Sequence, residues 1–64
     1  MKIINKKQVD DIVLTTQETT YVYYSTEWEC IECDKNFIYI NFVEQHPKKY
    51  IIYNKDQVVS IEIG

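Results

Sequence analysis

The stretch Phe37-Ile38-Tyr39-Ile40-Asn41-Phe42-Val43 is the clearest strand signal in this chain. β-Branched and aromatic side chains dominate it, and such side chains are stiff at χ1 and pack well on a pleated surface. Its apolar residues fall on both faces of the strand, which is typical of a strand at the centre of a sheet. We therefore predict a central strand over 37–43, and one of its faces is available to pack against a second copy of the protein.

The segment before this strand has the same character. The turn-forming sequence Asp34-Lys35-Asn36 separates it from an apolar run over 28–33. Strict alternation fails in that run, and a β-bulge near Cys30 and Ile31 would restore the register. We predict that the two segments form an antiparallel pair.

The segments after the central strand also have strand character. A polar loop with the only proline leads to an apolar run over 50–53, and a second run covers 58–63. The residues 54–56, Asn-Lys-Asp, favour a turn between them. We predict that these two runs form a closing hairpin.

The N-terminal part of the chain is less clear. Apolar spacing at Val9, Ile12 and Val13 permits a short helix starting at Asn5, but the charges are placed against the helix dipole. We therefore predict a strand over 12–16. A second strand over 19–25 follows from its run of threonine, tyrosine and valine.

These elements predict a single all-β domain over 1–64. The expected fold is a small antiparallel meander of five or six short strands, arranged as a curled sheet or an SH3-like barrel. A domain of 64 residues has a small core and is often stabilised by a disulfide, a metal or a partner subunit.

The composition narrows the classes of function. The net charge of −3 argues against general attraction to nucleic acid or to anionic membranes. The chain contains no arginine, so it lacks the side chain that binds guanine, phosphate and carboxylate in a bidentate manner. No targeting segment and no membrane-spanning run is visible, and we expect a cytoplasmic protein. The richness in Ile, Lys, Asn and Tyr is typical of an AT-rich genome, which suggests a small bacterial or phage accessory protein.

The motif Cys30-Ile31-Glu32-Cys33 is the sharpest local feature. One C-x-x-C is a weak metal signal, because zinc ribbons use two such pairs, although His46 is available as a third ligand. Residues i and i+3 of a regular strand point to opposite faces, so two sulfurs meet at one ion only if a bulge or turn intervenes. We expect two reduced thiols that pack as small hydrophobic side chains, and no cofactor.

Catalysis is not expected. A Cys–His nucleophile pair would need His46 beside Cys30 or Cys33, and the sequence shows no oxyanion-hole motif or glycine turn. A chain of this length also has little room for a substrate pocket of about 300 Å³ or more.

Surplus aromatic residues are the strongest functional signal. Six tyrosines exceed what a small core holds, and aromatic side chains at a surface are typical of interfaces. We predict a non-enzymatic protein-interaction module, such as an inhibitor, adapter or regulator, that forms a homo-oligomer. The predicted partner-binding residues are Trp28, Tyr21, Tyr23, Glu27 and Glu29.

Two alternatives stay open. The first is a small β-barrel that binds single-stranded nucleic acid, because lysine and stacking tyrosine suit that role. Its residues would be Lys48, Lys49, Tyr50 and Lys55. The second is a metal or thiol-redox protein that uses Cys30, Cys33 and His46.

Overall fold

The structure, a computed structural model, describes residues 2–5 and 10–64. Seven short antiparallel strands and one 3-10 turn make up the regular structure of these residues. Their bounds are β1 (Lys2–Asn5), β2 (Ile12–Thr16), β3 (Thr20–Tyr23), β4 (Trp28–Cys33), β5 (Phe37–Phe42), β6 (Tyr50–Asn54), the 3-10 turn (Lys55–Gln57) and β7 (Val58–Ile63). The all-β prediction is confirmed.

Two sheets form from these strands. A four-stranded sheet has the order β1-β4-β5-β6, and a three-stranded sheet has the order β3-β2-β7. Strands β4, β5 and β6 form a meander, with β5 between its two neighbours as predicted. The sheets face each other and do not close into a barrel, so the SH3-like alternative is not the architecture found.

The predicted closing hairpin is wrong. Strand β6 pairs with β5, whereas β7 pairs with β2 in the other sheet. The 3-10 turn Lys55–Gln57 causes this change of sheet, because it redirects the chain after β6 instead of reversing it. The Asn54 side chain caps the turn by accepting a hydrogen bond from the Asp56 N–H at 3.0 Å.

The core lies between the two sheets. Alternation along β5 points Ile38, Ile40 and Phe42 inward, and β2 contributes Ile12 and Leu14 from the opposite sheet. Trp28 and Ile31 of β4 complete the buried cluster. Each sheet therefore buries one face against the other, as a two-layer β domain requires.

A β-bulge in β4 makes this core possible. Trp28 pairs with Phe42 and Cys30 pairs with Asn41, so Glu29 is the extra residue. Without it, Trp28 and Ile31 would point to opposite faces, since they are three residues apart. The sequence predicted a bulge near Cys30 and Ile31, and the structure places it one residue earlier.

Strand β1 is a second difference from the sequence-based prediction. It pairs with β4 and places Ile4 opposite Ile31, on the inner face. No strand was predicted there, and the alternative helix starting at Asn5 covers 6–9, which lie outside the described residues. The chain reaches β2 at Ile12–Thr16, as predicted.

We expect Trp28→Phe to destabilise the domain by about 1–3 kcal/mol, because the phenyl ring is smaller than the buried indole and has no N–H to donate. The Trp28 indole Nε1–H donates to the Asp10 C=O at 2.8 Å, and the side chain is 0% exposed. Chemical denaturation measures the change. Tyr24→Phe at an exposed position is the control, and an equal loss in both variants would contradict the special role of Trp28.

Candidate functional site

An open seam separates the edge strands β3 and β6. Tyrosine side chains cross it: the rings of Tyr21 and Tyr53 have centroids 5.7 Å apart, and the hydroxyl groups of Tyr23 and Tyr53 share a hydrogen bond. Tyr23 also packs against Phe42, with centroids 5.7 Å apart. Side chains, and not a backbone ladder, therefore connect the two sheets at this seam.

Burial raises the pKa of Tyr23 and of Tyr53 above the usual value for tyrosine. For Tyr53 the hydrogen bond with Tyr23 raises the pKa further, whereas the same bond lowers that of Tyr23 and offsets part of its rise. Both hydroxyl groups remain protonated at physiological pH, so they serve as a structural pair and not as acid–base groups.

A groove of about 320 Å³ opens beside this pair. It is wide open to solvent, and its walls carry aromatic rings and opposite charges. Its lining includes Tyr21, Tyr23, Phe42, His46, Glu27 and Lys48. We call this cavity the seam groove.

His46 lies at one end of the seam groove. Its ring stacks on Phe42, with centroids 4.1 Å apart and an angle of 13° between the planes. Its Nδ1 accepts a hydrogen bond from the Lys48 N–H at 3.0 Å. These contacts give His46 a structural role in the loop after β5.

The outer face of the four-stranded sheet is the second candidate surface. One row of outward side chains runs across its four strands. The row consists of Ile3 on β1, Glu32 on β4, Tyr39 on β5 and Ile52 on β6. Four large apolar side chains on this face are exposed: Ile3 (54%), Phe37 (38%), Tyr50 (54%) and Ile52 (46%). We call this surface the outer face.

The two halves of the outer face differ in charge. In the half formed by β1 and β4, the carboxylate of Glu32 projects from β4. The two halves are joined by a hydrogen bond that the Asn41 side chain on β5 donates to the Cys30 sulfur on β4 at 3.4 Å. The half formed by β5 and β6 carries Phe37, Tyr50 and Ile52 and no charged side chain within the strands. This half is the more apolar one.

The turn between β4 and β5 is held by Asp34. Its Oδ1 accepts hydrogen bonds from the Asn36 and Phe37 N–H groups, and its Oδ2 accepts one from the Tyr39 hydroxyl at 2.9 Å. The bond from the Phe37 N–H is the main reason why the pKa of Asp34 lies below its usual value. These bonds fix Tyr39 and Phe37 at the rim of the outer face.

The predicted partner-binding residues are divided by the fold. Trp28 is fully buried, which corrects its placement on a binding surface: the bulge turns its ring into the core. Glu27 accepts a hydrogen bond from the Tyr24 N–H at 3.0 Å and stabilises the β3–β4 turn. Tyr21, Tyr23 and Glu27 do come together, at the seam groove. Glu29 is exposed at the bulge, away from that groove's lining.

The residues of the nucleic-acid alternative lie around β6. Lys48 and Lys49 are exposed just before the strand, and Lys55 is exposed just after it. Tyr50 points outward, whereas Tyr53 is partly buried against the core, so the two tyrosines do not share a face.

The residues of the metal alternative are not brought together. Cys30 lies on the outer face beside Asn41, and Cys33 packs against the core. The bulge precedes both cysteines, so the opposite-face geometry of a regular strand applies to them. His46 stacks at the Phe42 end of β5, whereas Cys33 pairs with Ile38 near the other end. Among the described residues, no three His, Cys, Asp or Glu side chains cluster as a metal site would need.

Sequence reasoning missed Ile52 and Phe37 as surface residues. Both belong to apolar runs, and only the asparagines Asn41 in β5 and Asn54 in β6 mark the outward positions there. The signal that identifies them is the register: Phe37 is opposite Asn54, and Ile52 is opposite Tyr39.

Comparison with protein-family models, with curated proteins and with solved structures gave no match for this chain. None of the described residues belongs to a helix with the length and apolarity that a membrane crossing requires. The seam groove and the outer face are therefore the two candidate binding surfaces of this protein.

Stability should fall as the pH rises above about 10, where tyrosines of the unfolded chain ionise while Tyr23 and Tyr53 of the folded chain keep their protons. Tyr53→Phe should make this alkaline loss shallower and cost about 1 kcal/mol at neutral pH through the lost hydrogen bond.

Urea unfolding at several pH values measures this effect. Tyr24→Phe, at a position 58% exposed, is the matched control and should leave the alkaline slope unchanged. An unchanged slope in Tyr53→Phe would contradict the role of the buried pair.

Proposed function

We propose that this protein is a non-enzymatic protein-interaction module that self-associates at the β5–β6 side of its four-stranded sheet. The observation that carries the proposal is the exposure of Phe37, Tyr50 and Ile52 on neighbouring strands with no charge among them. Contiguous apolar surface of this kind is typical of protein interfaces.

The size of this apolar surface limits the kind of contact that a second copy can make. The three exposed apolar side chains of this side, Phe37, Tyr50 and Ile52, offer on the order of 300 Å² per copy, taking about 200 Å² for each fully exposed side chain. Contact between two copies would bury about twice that area, and stable interfaces bury roughly 1,200–2,000 Å² in total. Polar surface and backbone at the rim must therefore contribute, which suits a reversible dimer.

The small core gives a reason for self-association. Seven hydrophobic residues are buried among the described residues, and both cysteines are free. A domain of this size gains stability from any partner that binds only the folded state. A second copy would supply that stabilisation without a metal or a disulfide.

Ile52→Lys should raise the dimer dissociation constant at least tenfold, because it places a charge in the apolar contact. Sedimentation velocity over a wide concentration range measures the change. Val59→Lys is the matched control: Val59 is 66% exposed, lies on β7 and should leave the dimer intact. A wild-type protein that stays monomeric at the highest concentration would refute self-association.

Single-stranded nucleic acid is the second candidate partner, supported by Tyr50 exposed between Lys49 and Lys55 at the two ends of β6. If it holds, a fluorescent single-stranded oligonucleotide should bind at low salt, and Lys48→Glu with Lys49→Glu should abolish that binding. Fluorescence anisotropy measures it. Lys35→Glu, an exposed lysine in the β4–β5 turn, is the control, and no binding by the wild type would remove this candidate.

A further inference from the structure

The open edge of β6 determines how a second copy can bind. The Phe42 N–H donates to the Lys49 C=O at 2.9 Å, and the Lys55 N–H donates to the Asn36 C=O at 2.9 Å. In an antiparallel pair, residues bonded to one neighbour alternate with residues that point away from it. The odd-numbered residues of β6 therefore bond to β5. The backbone groups that point to the open edge are those of Tyr50, Ile52 and Asn54.

Strand β6 is the least protected edge of the two sheets. Natural proteins protect edge strands with charges, bulges, prolines or short length. Strand β7 has a bulge at Val59 and a glutamate, β3 has only four residues, and β1 carries a lysine. Strand β6, Tyr-Ile-Ile-Tyr-Asn, has no charge, no proline and a regular register with β5.

The geometry of β6 permits a two-fold axis through its centre. Ile52 is the middle residue of the strand, and its backbone groups point to the open edge. A two-fold axis at Ile52 pairs it with Ile52 of another copy and pairs each Tyr50 with an Asn54. Such an isologous contact closes a dimer and leaves no further β6 edge for growth.

Stacking of two outer faces is a less favourable geometry. Glu32 occupies the row that runs from Ile3 to Ile52, so face-to-face packing would enclose a carboxylate from each copy. Enclosing two like charges without partners is strongly unfavourable. Pairing at the edge leaves Glu32 in solvent and still brings Tyr50 and Ile52 of the two copies together.

We infer that two copies pair antiparallel through β6, centred on Ile52, so that their four-stranded sheets join into one continuous sheet. The inference rests on the proposed self-association and specifies its geometry. The reciprocal N–H to C=O bonds of the Ile52 pair hold the centre, and on each side the Asn54 N–H donates to the Tyr50 C=O of the other copy. The outward side chains then form one apolar surface across the joint.

Ile52→Pro tests the backbone bonds. It removes the central N–H from each copy, and proline is tolerated at an edge position whose N–H is not used within the monomer. We expect at least a tenfold rise in the dissociation constant by sedimentation velocity. Val22→Pro is the matched control: the Thr16 N–H to Thr19 C=O bond places the Val22 N–H on the open edge of β3, so this variant should dimerise normally.

Cross-linking tests the register independently of folding losses. In a Cys30→Ser, Cys33→Ala background, Ile52→Cys should join the two copies rapidly with a short bismaleimide, since the paired Cα atoms lie about 5.5 Å apart. Tyr50→Cys should not cross-link, because four residues separate it from its own counterpart along the strand, about 14 Å.

The outcomes separate the two claims. A monomeric wild-type protein overturns the proposed self-association and this inference together. A dimer that is unaffected by Ile52→Pro, or that cross-links equally at both positions, overturns the β6 pairing alone. A dimer that is weakened by Ile52→Pro and cross-links only at Ile52→Cys confirms the geometry.

Discussion

Burial of Trp28 between the two sheets is the constraint on which the rest of the structure depends. The bulge at Glu29 lets Trp28 and Ile31 face inward together. The indole N–H ties β4 to the segment before β2 through the Asp10 C=O, so the ring joins the two sheets. The same geometry sends Cys30 to the outer face and Cys33 toward the core. One packing requirement thus explains both the core and the separation of the thiols.

The sheets meet around that core without closing, and this openness creates the seam groove and leaves the edge of β6 unpaired. Tyr21 and Tyr23 reach across the seam to Tyr53 where a closed barrel would have backbone hydrogen bonds. The edge of β6 consequently stays available, with Ile52 and Tyr50 projecting from it. Both the seam groove and the proposed dimer contact exist because β6 is an edge strand that does not pair with β3.

Local sequence signals predicted most strands well. Apolar runs bounded by turn-forming residues predicted β4 and β7. The run after residue 36, with apolar residues on both faces, predicted β5 as an interior strand of its sheet. The same signals led to the wrong prediction of a β6–β7 hairpin. They indicate a strand, a turn and a second strand, but they do not indicate which strands pair with each other. Strand β1 was missed since four residues, with lysine and asparagine at the ends, give too short a pattern to recognise.

Composition and local pattern were enough to establish the all-β class, the approximate strand bounds and an excess of aromatic side chains over the capacity of the core. Tertiary structure alone decided which aromatic residues are buried. Trp28 became core, Tyr21 and Tyr23 became seam residues, and Ile52 became the exposed centre of an open edge. The physical reason is distance along the chain. Strand propensity and the alternation of apolar residues depend on near neighbours in the sequence. Burial depends on strand pairings such as β2 with β7, which join residues far apart in the chain.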